Sequence, residues 1–146
     1  MARIKIELPA QFDFTTTIPV RITDLNYGGH MGNDTILSII HELRVQYLLS
    51  KGLKELEFAG KGLIMSDVAI EFKAEVFYGE SLRASAMATE FSSIGFDIVY
   101  RLEKKSGDEM IPVAYAKTGM VCFDYTAKKI VKIPADALEK LNGNAL

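Results

Sequence analysis

Apolar residues recur at helical spacing in only one long stretch of this chain. From Thr35 to about Ser50, the residues Ile36, Leu37, Ile39, Ile40, Leu43, Tyr47 and Leu48 follow a 3.6-residue period. The apolar face is wide, which predicts a helix buried on most sides. Asn33 or Asp34 is placed to cap it, and Gly52 to stop it. Lys54 to Gly60 reads as a short helical connection. Before the helix, Phe12 to Thr23 is rich in Thr, Ile, Val and Phe and reads as a strand, with Pro19 marking an edge or irregular position. After it the pattern is β: Leu63 to Val76, Leu82 to Phe91, Phe96 to Lys104, and Met110 to Tyr125. Turns fall at Tyr78-Gly79-Glu80, Ser92-Ser93-Ile94-Gly95 and Ser106-Gly107-Asp108. Pro134 to Leu141 reads as a short terminal helix.

Strands joined by such short connections pair antiparallel. One long helix with one large antiparallel sheet predicts an α+β architecture, roughly five strands curled around the helix. Phe14 to Ile22 or Ala114 to Phe123 is expected at a sheet edge. A long uncovered edge invites pairing with a second copy, so a dimer with a continuous sheet is expected.

The 146 residues form a single domain, 1–146, in this reading, with no linker, repeat or low-complexity stretch. Apolar residues make up 49% and charged residues 25%, as in soluble globular proteins. A net charge of −2 with no basic stripe argues against a nucleic-acid partner. The single cysteine, Cys122, has no internal partner, and a reducing compartment fits it. It reads as a buried strand residue with nothing nearby in sequence to activate it. No apolar run approaches the roughly 20 residues that span a bilayer. The amino-terminal segment lacks the apolar core of a signal peptide. The expectation is a cytoplasmic protein with no membrane partner.

The densest chemistry lies in Asp24-Leu25-Asn26-Tyr27-Gly28-Gly29-His30-Met31-Gly32-Asn33, where a strand hands over to the long helix. Such a junction aims backbone N–H groups and the positive end of the helix dipole at whatever lies in front. A carbonyl oxygen gaining negative charge is stabilised there, which points to acyl transfer.

Four motifs in order resemble the hot-dog-fold thioesterases, specifically the 4-hydroxybenzoyl-CoA thioesterase-like acyl-CoA thioesterases. The family's V-R-x-x-D-x-D-x-x-G-H-V-N-N appears as Val20 to Asn33, and its helical E-A-R as Glu42-Leu43-Arg44. Its Y-G-D-x-L turn appears as Tyr78 to Leu82, and its closing V-A-x-x-x-T-x-x-V-C-x-D as Val113-Ala114 through Asp124. Ile133-Pro134 matches the final I-P. The junction is also similar to that of acyl-ACP thioesterases. The resemblance implies a hot-dog fold, hydrolysis of an acyl-CoA or acyl-ACP thioester, no cofactor and no metal, and assembly as a homodimer or homotetramer. One position departs from the pattern: the second acid of D-x-D, the family's usual catalytic Asp, is Asn26, and an amide cannot serve as base or nucleophile.

The candidate catalytic residues are therefore Asp24, Asn26, His30 and Glu42. Asp24 is the nearest surviving carboxylate, or a loop residue that binds amides. Asn26 orients water or the thioester, or serves as a turn residue. His30 contacts substrate or holds the loop. Glu42, inside an apolar helix, is expected to be buried and paired with Arg44 or Arg21, or else to replace the missing base, with Ser38 one turn away. His41 is expected at the surface or an interface. Gly28 is a backbone device. Gly29, Met31, Gly32 and Asn33 are the candidate substrate-binding residues, with the N–H of Met31 or Gly32 as oxyanion donor. The lysines Lys73, Lys104, Lys105, Lys128 and Lys129 are solvated, or meet the phosphates of a CoA. The alternative function is a non-hydrolytic acyl-thioester-binding protein. Hot-dog dehydratases, which use a His with an Asp or Glu, form a third class.

Overall fold

A computed structural model of the chain describes residues 1–142. β1 (Phe14–Pro19) leads through a 3-10 turn (Ile22–Asp24) to α1 (Asn33–Ser50). Then follow β2 (Gly62–Phe72), β3 (Ser81–Thr89), β4 (Gly95–Ser106), β5 (Glu109–Asp124), the two-residue β6 (Lys129–Ile130) and α2 (Ala135–Asn142). The order across the sheet is β1-β3-β4-β5-β2, all antiparallel, and β6 pairs with the end of β5. This is the α+β hot-dog arrangement, one long helix against one large sheet.

The helix packs where the sheet leaves room. Ala84, Ala86 and Ala88 alternate along β3 and are buried on one face, small enough for a helix to approach. Ile36, Ile39, Ile40, Leu43, Tyr47 and Leu48 fill the space above them. Each aliphatic side chain buried this way contributes about 1.5–3 kcal/mol. Tyr47 is held as well as packed, because its hydroxyl accepts the Ala88 N–H at 2.9 Å.

Several expectations are corrected. α1 is not covered on most sides, for Leu37, Val45 and Leu49 are exposed on its outer face. Ala114 to Phe123 is not an edge; it lies in β5 between β4 and β2. Its mostly buried residues pair on both flanks. β1 does lie at one edge, and β2 forms the other, with Met65, Val68 and Phe72 exposed. Lys54 to Gly60 is not helical. Lys54 and Glu57 exchange backbone bonds, and Ala59 and Gly60 take φ of 52° and 88°, which no right-handed helix allows. The predicted strand from Leu63 ends at Phe72, and the chain then leaves the sheet to meet the loop before α1.

Candidate active site

The junction between β1 and α1 is built from short-range bonds. Asp24 is buried, and its carboxylate accepts the Arg21 N–H at 2.8 Å and the Arg21 Nη2 at 3.2 Å. That pair closes the 3-10 turn. Asn26 then closes the next turn: its Oδ1 accepts the Gly28 N–H at 2.8 Å, its own N–H donates to the His30 carbonyl, and its carbonyl accepts the Gly29 N–H. Gly29 takes a φ of 85°, which a residue with a Cβ adopts only under strain.

The helix then begins without a side-chain cap. Gly32 is the N-cap, and neither Asn33 nor Asp34 closes the first turn as expected. The Thr35 N–H already bonds the Gly32 carbonyl at 3.0 Å, and the N–H groups of Asn33 and Asp34 remain for an acceptor in front of the helix. Of the two expected oxyanion donors, Met31 is committed, since its N–H bonds the Val76 carbonyl at 2.8 Å. Gly32 is left. A Cβ there would sit 2.5 Å from Asp34 Oδ1, so glycine is what lets the Asp34 carboxylate lie against the helix start.

The segment after β2 forms the opposite wall. Lys73 and Ala74 both donate to the Val113 carbonyl, Val76 is buried, and His30 bridges to Phe77. A cavity of about 430 Å³ opens between this segment and the helix, lined by His30, Asn33, Ile36, Phe72, Lys73 and Glu75 among others. The His30 Nδ1 lies 3.1 Å from the Met31 carbonyl, and its Nε2 lies 3.9 Å from Glu75 Oε1. Lys104 is buried, and its Nζ donates to the Glu75 carbonyl at 2.6 Å and reaches Glu80 at 3.2 Å. This lysine is a strut, neither solvated nor free for a phosphate. Lys73 is paired with Glu71.

Glu42 belongs elsewhere. It is exposed, it accepts a hydrogen bond from Gln46 at 2.8 Å, and it lines a separate groove of about 480 Å³ with Arg21, Ser38 and His41. The expected pairing with Arg44 or Arg21 is not made. Arg44, buried, bonds Glu55 at 2.6 Å instead. It also donates to the Tyr100 hydroxyl, which in turn meets Thr118 at 2.7 Å. Burial pushes the Tyr100 hydroxyl above the usual tyrosine range. Cys122 is buried in β5 with its thiol pushed up by burial, as expected of a strand residue.

Sequence reasoning brought His30, Met31 and Asn33 to this cavity, missed Glu75, and named Lys104 only as solvated or phosphate-facing, where it is a strut. No local pattern marks Glu75, since only the bridge between His30 and Phe77 brings it near. Among the described residues, no three His, Cys, Asp or Glu side chains gather as a metal site. Among the described residues no helix is long and apolar enough to cross a membrane.

The fold is that of a hot-dog protein. A family profile described as the thioesterase-like superfamily matches residues 20–141. The chain belongs to that superfamily. No curated protein sequence matches it. Among solved structures it is similar to a 1,4-dihydroxy-2-naphthoyl-CoA thioesterase from Synechocystis, with 21% identity, a TM-score of 0.79, and coverage of 90% of this chain and 96% of that one. It is similar also to the 4-hydroxybenzoyl-CoA thioesterase of a Pseudomonas strain, with 16% identity, a TM-score of 0.78, and coverage of 89% and 99%. A third is an aspartate-to-asparagine mutant of a 4-hydroxybenzoyl-CoA thioesterase complexed with 4-hydroxybenzoyl-CoA, with 16% identity, a TM-score of 0.81, and coverage of 88% and 98%.

Proposed function

We propose that this protein hydrolyses the thioester of an acyl-CoA, with the reacting carbonyl seated in front of α1. The observation that carries the reading is the helix start at Gly32, uncapped by any side chain and opening beside a cavity. The thioester oxygen accepts from the amides of the first turn, Gly32 and Asn33 foremost. Charge growing on that oxygen meets fixed donors that need no reorganisation. Asn26 shapes the loop through its bond to Gly28 and so positions His30 at the cavity. Solved neighbours named as CoA thioesterases support CoA as carrier; an acyl carrier protein is the other carrier to test.

Thiol release from short, long and aromatic acyl-CoAs tests this reading. Turnover of at least one member is expected, and none on any member would sink it. Replacing Gly32 by Ala keeps the N–H but sets a Cβ against the Asp34 carboxylate at the helix start, and should lower kcat by up to about 100-fold, the scale of a 1 Å misplacement of the reacting carbonyl. Its cost in stability should stay near 1 kcal/mol, because Asp34 can turn aside.

A second reading rests on Asn26 itself. Its side chain is an amide committed to a turn, and an asparagine mutant of a similar enzyme is seen holding its CoA ester. On this reading the protein binds acyl thioesters without cleaving them. Saturable binding with no turnover, and hydrolysis created by Asn26→Asp, would establish it over the first.

A further inference from the structure

We propose that His30 is the general base of this site and that Glu75 stabilises its protonated form, a pair that takes the place of the carboxylate absent at residue 26. The inference rests on the thioesterase reading and names the group that activates water. A backbone carbonyl can only accept, so the contact of 3.1 Å between His30 Nδ1 and the Met31 oxygen puts the ring proton on Nδ1. Nε2 is then the nitrogen with a free lone pair, and the ring lines the cavity. The Glu75 carboxylate stands 3.9 Å from that nitrogen. It makes no hydrogen bond to the neutral ring, and its charge stabilises the imidazolium that forms when Nε2 takes a proton.

The surroundings tie the backbone of both partners. The His30 carbonyl accepts the Asn26 N–H, and the Met31 N–H donates to Val76, so the backbone on each side of the ring is tied. The ring also meets Phe77 edge to face, with centroids 6.4 Å apart. Lys104 pins the backbone of Glu75 through its carbonyl, at 2.6 Å. The other carboxylates of the chain's candidate set are not available here. Asp24 faces Arg21, and Glu42 lines another groove.

The reaction balances with water as the only co-reactant. A water oxygen adds to the thioester carbon while one of its protons passes to His30 Nε2. The carbonyl oxygen becomes an oxyanion held by the helix amides. The intermediate then collapses, the C–S bond breaks, and the departing sulfur takes the proton back from Nε2. The products are a carboxylic acid and a thiol, and His30 returns to its starting form.

The test measures kcat, KM and ligand affinity for a CoA thioester that the wild-type chain turns over. The variants are His30→Gln, Glu75→Gln and the double variant. His30→Gln should lower kcat about 100-fold or more, the usual contribution of a general base, while the dissociation constant stays within about threefold. Glu75→Gln should lower kcat about tenfold in the wild-type background and have no further effect once His30 is gone, because coupled residues are not additive. The charged groups around the ring are Glu75, Lys73 (paired with Glu71) and Lys104 (held by Glu80 near the Phe77 ring). None but Glu75 is altered. Glu75 is largely exposed, so its variant folds. Wild-type kcat in His30→Gln, or a Glu75→Gln effect that persists in full in the double variant, overturns the pair and leaves the thioesterase reading standing. Absence of wild-type turnover on every acyl-CoA overturns both.

Discussion

Asn26 and Gly28 are locked together, the side-chain oxygen of one accepting the backbone N–H of the other at 2.8 Å. The amide of Asn26 thus does for the loop what a carboxylate in the same place would do, and the charge is what the chain gives up. Asn26→Asp should keep the turn and change stability by less than about 0.5 kcal/mol. Asn26→Ala removes the acceptor and should cost about 1 kcal/mol. Gly29→Ala forces a left-handed backbone on a residue with a Cβ and should cost a further 1–2 kcal/mol or so. Chemical denaturation of the three variants checks the order. An alanine at 26 as stable as the native residue would show that the turn does not depend on this bond.

The Arg44 network is structural. Arg44 is buried and bonds Glu55 and Tyr100, joining α1 to the 53–61 loop and to β4. Arg44→Ala leaves a partner unpaired and should destabilise the fold by about 3 kcal/mol, the low end for a broken buried pair because the Glu55 side chain is 25% exposed. The midpoint of urea unfolding measures it. A loss under about 0.5 kcal/mol, the level of an ordinary surface change, would contradict the assignment.

Stability should fall on the alkaline side. Burial holds the hydroxyls of Tyr47 and Tyr100 above the ordinary value of 10.0. Below about pH 10 both folded and unfolded chains keep these protons, and the contribution is complete. Above it the unfolded chain releases them first, so unfolding becomes easier as pH rises toward the folded values. Unfolding free energy should therefore drop between about pH 9 and pH 11, and Tyr47→Phe should flatten the drop. At neutral pH that variant should be less stable by about 1–3 kcal/mol, because the Ala88 N–H loses its acceptor. An equal alkaline slope in both proteins would refute the role given to Tyr47.

β2 presents Met65, Val68 and Phe72 along an unpaired edge. We expect this edge to pair with its counterpart in a second copy, giving a homodimer with a continuous sheet. Light scattering should report a dimer for the wild-type chain and a monomer for Met65→Lys/Val68→Lys. A wild-type monomer at micromolar concentration would end the proposal, and an unchanged dimer in the variant would place the interface elsewhere.

The sequence by itself determined the elements and the order of the site's parts. Period-3.6 apolar spacing marked α1, β-type runs between turn signals marked four long strands, and the glycine-rich junction marked where the helix begins. These are properties of residues near in sequence, which is why they were readable. The burial of Glu42 was misjudged because an apolar helix does not say which side the sheet covers. The alanines of β3 decided that, and they left Glu42 outside. The 54–60 connection was misjudged because Phe58, anchored in the core, outweighed local helix propensity. Only the tertiary structure set Glu75 beside His30, 45 residues away in the chain. That juxtaposition depends on where the chain leaves β2, on the backbone bond from Met31 to Val76, and on a lysine from β4 that pins Glu75 from below. Each of these is a contact between distant segments, and no local pattern carries it.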